Sequence, residues 1–268
     1  MLRVASAAVL LAVLLAAVWL GPFQAAMALV IVAAALAGSE LATMSSRIGA
    51  RVPPIFVAIA SAVVAMAFVV SLGAAPHDPG ILAGVLAALL LTAGVLTLAG
   101  GPPEPAAVTR AAVMVLTPIY VGIPLGAVAW VQLTAGPAAT TWLVAVIAMS
   151  DTAQYYTGRA FGRRKLAPTI SPAKTVEGAI GGVVAGTIAG AALARVCLPD
   201  VPLVTAGVLT LVLVFFGIAG DLFESLLKRS AGVKDSSNLI PGHGGVLDRI
   251  DSHLFAAPVF FLFLRYVA

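Results

Sequence analysis

The feature that most constrains this chain is a succession of long apolar runs broken by proline and glycine. Nine runs stand out, at about residues 4–20, 24–38, 54–73, 81–99, 112–131, 140–158, 176–196, 203–224 and 253–267. A run of about 20 apolar residues spans the hydrocarbon core of a bilayer as a helix. The breaks carry Gly21-Pro22, Pro53-Pro54, Pro76, Pro79-Gly80, Gly100-Gly101-Pro102-Pro103, Gly136-Pro137 and Pro199, residues that end helices and turn chains. With 61% hydrophobic and 10% charged residues, against about 25% charged in a soluble domain, no water-soluble fold of this size could hide its apolar surface. The pattern predicts an all-α, polytopic transmembrane protein of about nine spans. It reads as a single integral-membrane domain over 1–268, with polar motifs gathered in the part from about 140 to 268. The first run exceeds the apolar core of a secretory signal, about 7–15 residues, and a second run follows at once. It is read as a retained membrane helix.

Charge orients the spans. With nine of them, one side holds Arg3, Arg47, Arg51, Arg110, Arg159, Arg163, Arg164, Lys165, Lys174, Lys228, Arg229, Lys234 and Arg249, and the other only Arg195 and Arg265. The basic side is expected to be cytoplasmic. Nine of the eleven acidic residues share it, leaving Asp78 and Asp200 opposite. Orientation needs only the basic residues, so carboxylates crowded among them call for another cause, and a catalytic face supplies one. Cys197 is the single cysteine, which excludes an intramolecular disulfide and reads as a small apolar filler. Gly178, Gly182, Gly186 and Gly190 recur every fourth residue, the register in which small residues let membrane helices pack closely.

Two polar stretches carry chemistry. The first runs from Ser225 to Asp251. Asp221, Ser225 and Lys228 precede or open it on one helical face, and Asp248, Arg249 and Asp251 close it. Between them Pro241-Gly242-His243-Gly244-Gly245 can turn tightly and bring backbone N–H groups near a ligand. Basic side chains, such N–H donors and hard carboxylates suit phosphates held through a divalent cation. The second stretch runs from Asp151 through Gly158-Arg159 to Ser171-Pro172-Ala173-Lys174-Thr175-Val176-Glu177-Gly178. Asp151 lies inside an apolar run, where an ionisable residue faces protein or a water-filled cavity. It serves function or is a structural partner for Arg159 or a backbone group. A lysine precedes a threonine at 174–175, but the Gly-x-x-x-x-Gly of a P-loop is missing.

The first stretch resembles the characteristic motif of the phosphatidate cytidylyltransferase (CDP-diglyceride synthetase) family. The matching positions are Ser225, Lys228-Arg229, Lys234-Asp235, His243-Gly244-Gly245 and Asp248-Arg249-Ile250-Asp251. The second is similar to that family's Asp, Tyr, Gly-Arg segment and its Ser-Pro-x-Lys-Thr-x-Glu-Gly, with Val176 where an aromatic residue is expected. Together they cover about a fifth of the chain. The resemblance implies transfer of a cytidylyl group from CTP to phosphatidic acid, giving CDP-diacylglycerol and diphosphate. It implies Asp221 and Asp248 as ligands of Mg²⁺, with a second cation also considered, and Lys228 and Arg229 beside them in catalysis. Asp151, Ser171, Lys174, Thr175, Ser225, Lys234, Asp235, His243, Gly244, Gly245, Arg249 and Asp251 are implied as substrate-binding. His243 is read as a phosphate contact or a turn-former, since phosphatidate is already ionised and its attack needs no base. His77 reads as a solvated loop residue, and His253 as a neighbour of the motif. The implied setting is a bacterial plasma (inner) membrane with a cytoplasmic-facing site, no nucleic-acid partner, and a homodimer as the assembly considered. Two other readings stand beside it: a CTP-dependent polyprenol or lipid-alcohol kinase sharing parts of these motifs, and a lipid transporter or flippase. A CDP-alcohol phosphotransferase is disfavoured because its Asp-Gly-x-x-Ala-Arg pattern is absent.

Overall fold

The computed structural model describes residues 2–73, 78–100 and 103–268. His77, Pro76, Gly101 and Pro102 lie outside the described residues. Nine α-helices occur among those described: α1 (Leu2–Leu15, continued by a π-helical turn to Leu20), α2 (Phe23–Ser45), α3 (Pro54–Gly73), α4 (Pro79–Ala99), α5 (Ala106–Thr134), α6 (Gly136–Phe161), α7 (Val176–Cys197), α8 (Leu203–Ser230) and α9 (Leu247–Tyr266). Six are long and apolar enough to cross a membrane: α2 extended to Ile48, α3, α4, α5, α7 and α8. The apolar stretch Ala8–Leu20 is shorter. The expected all-α polytopic architecture is present at this coarser level. Prolines stand where a helix tolerates them, with Pro79 and Pro137 in the first turns of α4 and α6, where the missing N–H costs nothing.

One local element departs from the all-helical expectation. Residues 165–175 form a two-stranded antiparallel hairpin, β1 (Lys165–Ala167) with β2 (Ser171–Thr175). Pro168 and Pro172 forbid a regular helix here, so the segment meets its hydrogen-bonding needs by pairing with itself. Glu177 ties down the hairpin's base, its Oε2 accepting the N–H groups of Arg163 at 2.9 Å and Arg164 at 3.1 Å. Thr175 caps α7, its Oγ1 accepting the N–H of Gly178 at 3.1 Å.

The chain divides into two compact units. The first comprises Met1–Thr134 and Ser230–Ile250. Helices α2, α3 and α5 form its core, with Val57, Val64, Met114, Val121 and Val131 buried. Trp130 Nε1 donates to the Leu72 carbonyl at 2.8 Å and Gln132 Nε2 to that of Val18 at 2.9 Å. Pro118 and Pro124 sit buried within α5, an arrangement membrane helices accept when neighbours cover the interrupted backbone.

The second unit comprises Ala135–Arg229 and Asp251–Ala268. Its tightest pair is α6 with α7. All four glycines of the α7 register are buried, and a Cβ at Gly182 would stand 3.0 Å from the Ser150 carbonyl. The register therefore serves close packing. Trp142, fully buried, donates from Nε1 to the Gly190 carbonyl at 2.9 Å and lies with its centroid 5.1 Å from Phe260.

Candidate active site

In the second unit, α6, the hairpin, α8 and α9 each deliver a charged side chain to one cluster. Lys174, near the end of β2, pairs through Nζ with Asp221 Oδ2 on α8. Ser225, one turn along α8, approaches Asp221 Oδ1 at 3.4 Å. Asp151 on α6 accepts from Gln154 Nε2 at 3.0 Å and lies within electrostatic reach of Asp221 and Lys174. Asp251 on α9 feels Asp221, Asp151 and Lys228. Its neighbourhood to Asp221 has a simple cause: Gly220 has no side chain, and a Cβ there would lie 2.6 Å from the Asp251 carbonyl. Lys228 pairs with Glu224, a fully buried carboxylate, and its charge also reaches Asp251. Arg229 Nε donates to the Ile170 carbonyl at 3.2 Å, tying the end of α8 to the hairpin turn.

Six of the residues expected at the site, Asp151, Lys174, Asp221, Ser225, Lys228 and Asp251, thus gather within this unit. Ser171 lies half-buried at the start of β2. Thr175 is buried and acts as the helix cap described above. Asp151, Asp221 and Asp251 stand in this cluster with Lys174 and Lys228 as the neighbouring cations. In a low-dielectric setting such an excess of negative charge must be met by cations or protons.

In the first unit the glycine-rich stretch forms a tight turn. Ile240 N–H donates to the Gly244 carbonyl at 2.8 Å and His243 N–H to that of Ile240 at 2.9 Å. Gly242 and Gly244 adopt φ of 76° and 79°, a region other residues enter only with strain. Two of the turn's amide groups, those of His243 and Gly245, are spent inside the protein. Asp248 Oδ2 accepts the N–H of Gly245 at 2.8 Å, the N–H of Ser236 at 2.9 Å and the Ser236 hydroxyl at 2.8 Å. His243 Nδ1 lies 2.9 Å from Ser6 Oγ, which gives its ring a structural contact. Arg249 is exposed at the start of α9. A cleft of about 300 Å³ is lined by Thr43, Met44 and Arg47 from α2 and its extension, and by residues 233–238 including Lys234 and Asp235.

Three participants escaped the sequence reading. Glu40, on α2, accepts four hydrogen bonds from the motif stretch. Ser236 and Ser237 supply two of them. The one available signal was a carboxylate at 40 inside an apolar helix, where ionisable residues are costly.

Among the described residues no three His, Cys, Asp or Glu side chains converge as a ready-made metal site. The donor chemistry still suits Mg²⁺, which takes hard oxygens, commonly one or two carboxylates, and fills its remaining positions with water and substrate phosphate.

Comparison with known proteins gives a consistent picture. Residues 1–267 match the model of the cytidylyltransferase family. A phosphatidate cytidylyltransferase of Bacillus subtilis is 46% identical over 119 residues, 44% of this chain and 44% of that protein. One of Pseudomonas aeruginosa is 41% identical over 151 residues, 55% of this chain and 53% of that protein. An uncharacterised protein of Escherichia coli, YnbB, is 46% identical over 127 residues, 47% of this chain and 42% of that protein. The chain thus spans about half the length of the curated relatives it matches.

Proposed function

The chain belongs to the cytidylyltransferase family, and on that premise we propose that it is a phosphatidate cytidylyltransferase, converting CTP and phosphatidate to CDP-diacylglycerol and diphosphate. The observation that carries the reading is the Lys174–Asp221 pair with Asp151 and Asp251 about it. It draws on both polar stretches that resemble the family, and neither stretch needed the other to form a helix or a hairpin.

In the reaction a phosphatidate oxygen attacks the α-phosphorus of CTP, and the bond from that phosphorus to the bridging oxygen of the β-phosphate breaks. The electron pair leaves with diphosphate. Two polyanions must approach, and a single like-charge pair at 4 Å costs about 4 kcal/mol at an effective dielectric of 20. Lys174, Lys228 and Arg229 supply positive charge along that approach, and Lys234 and Arg249 add to it in the motif stretch. The family motif assigns metal ligation to Asp221 and to Asp248. Mg²⁺ bound there would neutralise phosphate oxygens and the developing charge on diphosphate. The diacylglycerol tail enters sideways from the bilayer, because extracting acyl chains would cost about 0.8 kcal/mol per CH₂. A nine-span topology with the motifs on the cytoplasmic side is part of the proposal, supported by the split of basic residues.

The test uses purified protein, phosphatidate, Mg²⁺ and CTP labelled in turn at the α- and γ-phosphates, followed by lipid extraction. Label from the α position enters the lipid and label from the γ position does not. Appearance of γ-label, or transfer only to a polyprenol, would favour the lipid-alcohol kinase. Transport of lipid without nucleotide turnover would favour the flippase.

A further inference from the structure

We infer that Glu40 is a positioning residue for the motif stretch, fixing from α2 the segment that carries Asp248. The inference rests on the functional reading above. Helix α9 begins at Leu247, and the residue before it, Val246, has no side-chain acceptor with which to cap the first turn. Glu40 supplies the missing acceptor from about 200 residues away in sequence. Its Oε1 accepts the Val246 N–H at 3.0 Å and its Oε2 the Leu247 N–H at 2.9 Å. A carboxylate at a helix N-terminus satisfies otherwise unpaired N–H groups and opposes the helix dipole.

The same two oxygens hold the loop ahead of the helix. Oε1 accepts the Ser237 hydroxyl at 2.7 Å and Oε2 the Ser236 hydroxyl at 2.9 Å. Each oxygen of Glu40 therefore meets one backbone N–H and one hydroxyl. Ser236 Oγ in turn lies 2.8 Å from Asp248 Oδ2. One hydroxyl has one proton, so Glu40 and Asp248 share Ser236 between them, and the position of Asp248 depends on Glu40. Glu40 is 6% exposed and Asp248 8%, so water does not readily replace either contact.

The geometry requires a carboxylate and not merely a polar side chain. In Glu40→Gln, whichever way the amide is turned, its NH₂ faces a backbone N–H. That conflict has no remedy on the backbone side, whereas Glu40→Asp keeps two acceptor oxygens at the expense of reach. Glu40 touches no proposed substrate group, so its loss should act on the placement of the loop. Removing a partner that orients a ligating group commonly lowers activity about 10–100-fold.

The test compares full-length wild type, Glu40→Gln and Glu40→Asp by amide hydrogen exchange and by steady-state kinetics. Glu40→Gln should speed exchange in the peptide covering residues 236–250 while leaving α3 and α6 unchanged. It should lower kcat at least about tenfold with KM for CTP within about threefold, and Glu40→Asp should recover part of the loss. Exchange at 236–250 equal to wild type, or an unchanged kcat in an active enzyme, overturns the inference. If Glu40→Gln does not accumulate, Ser237→Ala removes one bond and keeps the carboxylate. Faster exchange at Val246 together with a lower kcat then supports the role, and wild-type behaviour in either overturns it. A wild type without cytidylyl transfer would sink the functional reading, and exchange alone would then decide this one.

Discussion

Lys174 Nζ meets Asp221 Oδ2 across a separation of 47 residues, joining the end of the β1–β2 hairpin to the middle of the polar face of α8. A cation from a hairpin and a carboxylate from an apolar helix have no local reason to pair. Their meeting gives the second unit a charged centre in a setting where isolated charges are expensive. Both partners are half-buried, with side-chain exposures of 20% and 27%.

Asp221→Asn keeps side-chain volume and removes the charge. Activity should fall at least about 100-fold, the scale seen when one electrostatic partner of a transition state is lost. Membrane insertion should continue, since apolar helices drive it. Combining Lys174→Gln with Asp221→Asn should cost little more than Asp221→Asn alone, because residues in contact are not additive. Asp200→Asn, in the exposed turn before α8, serves as a control and should leave kcat unchanged. An Asp221→Asn enzyme of near wild-type rate would remove Asp221 from the chemistry.

Asp248 has a structural duty beside the catalytic one proposed for it, and two substitutions separate the two. Asp248→Asn retains an acceptor oxygen for Gly245, Ser236 N–H and Ser236 Oγ, so thermal stability should change little while activity collapses. Asp248→Ala strands the N–H groups of Gly245 and Ser236, while the Ser236 hydroxyl keeps Glu40, and should destabilise by about 2 kcal/mol or more, since each unsatisfied buried group costs about 1–3 kcal/mol. Equal melting temperatures for the two variants would show that the loop does not depend on these bonds. Asp235→Asn should harm activity less than either.

Removal of divalent cations should silence the enzyme. Treatment with EDTA is expected to abolish turnover, and added Mg²⁺ or Mn²⁺ to restore it, because the carboxylate-rich cluster and two polyanionic substrates need neutralisation. Full turnover in EDTA would dismiss the metal proposal and leave the lysines and arginines to carry the charge.

Topology can be read with reporter fusions. Fusions at Glu104, Gly162 and Val233 should all report the cytoplasm, and one after Ala268 the opposite side. Gly162 and Val233 on opposite sides would separate the two polar stretches across the membrane and defeat a common active site.

The sequence by itself determined the helices and their setting. Apolar runs of membrane length, with proline and glycine between them, admit little else, and α3, α4 and α8 begin within a few residues of the expected places. It also located the polar stretches, because charge inside such a chain is too costly to be incidental. The hairpin at 165–175 was not legible, since two short strands leave no periodicity and their pairing depends on Glu177 and the backbone around it. Nor was the division of labour among the motif carboxylates. Asp221 faces a lysine, Asp248 is enclosed by N–H and hydroxyl donors, and Glu40, in a helix that looked merely apolar, caps α9. These partners lie tens to hundreds of residues apart. Hydrophobic length fixes each helix locally, but which polar groups meet is decided only when the helices pack and every buried donor must find an acceptor.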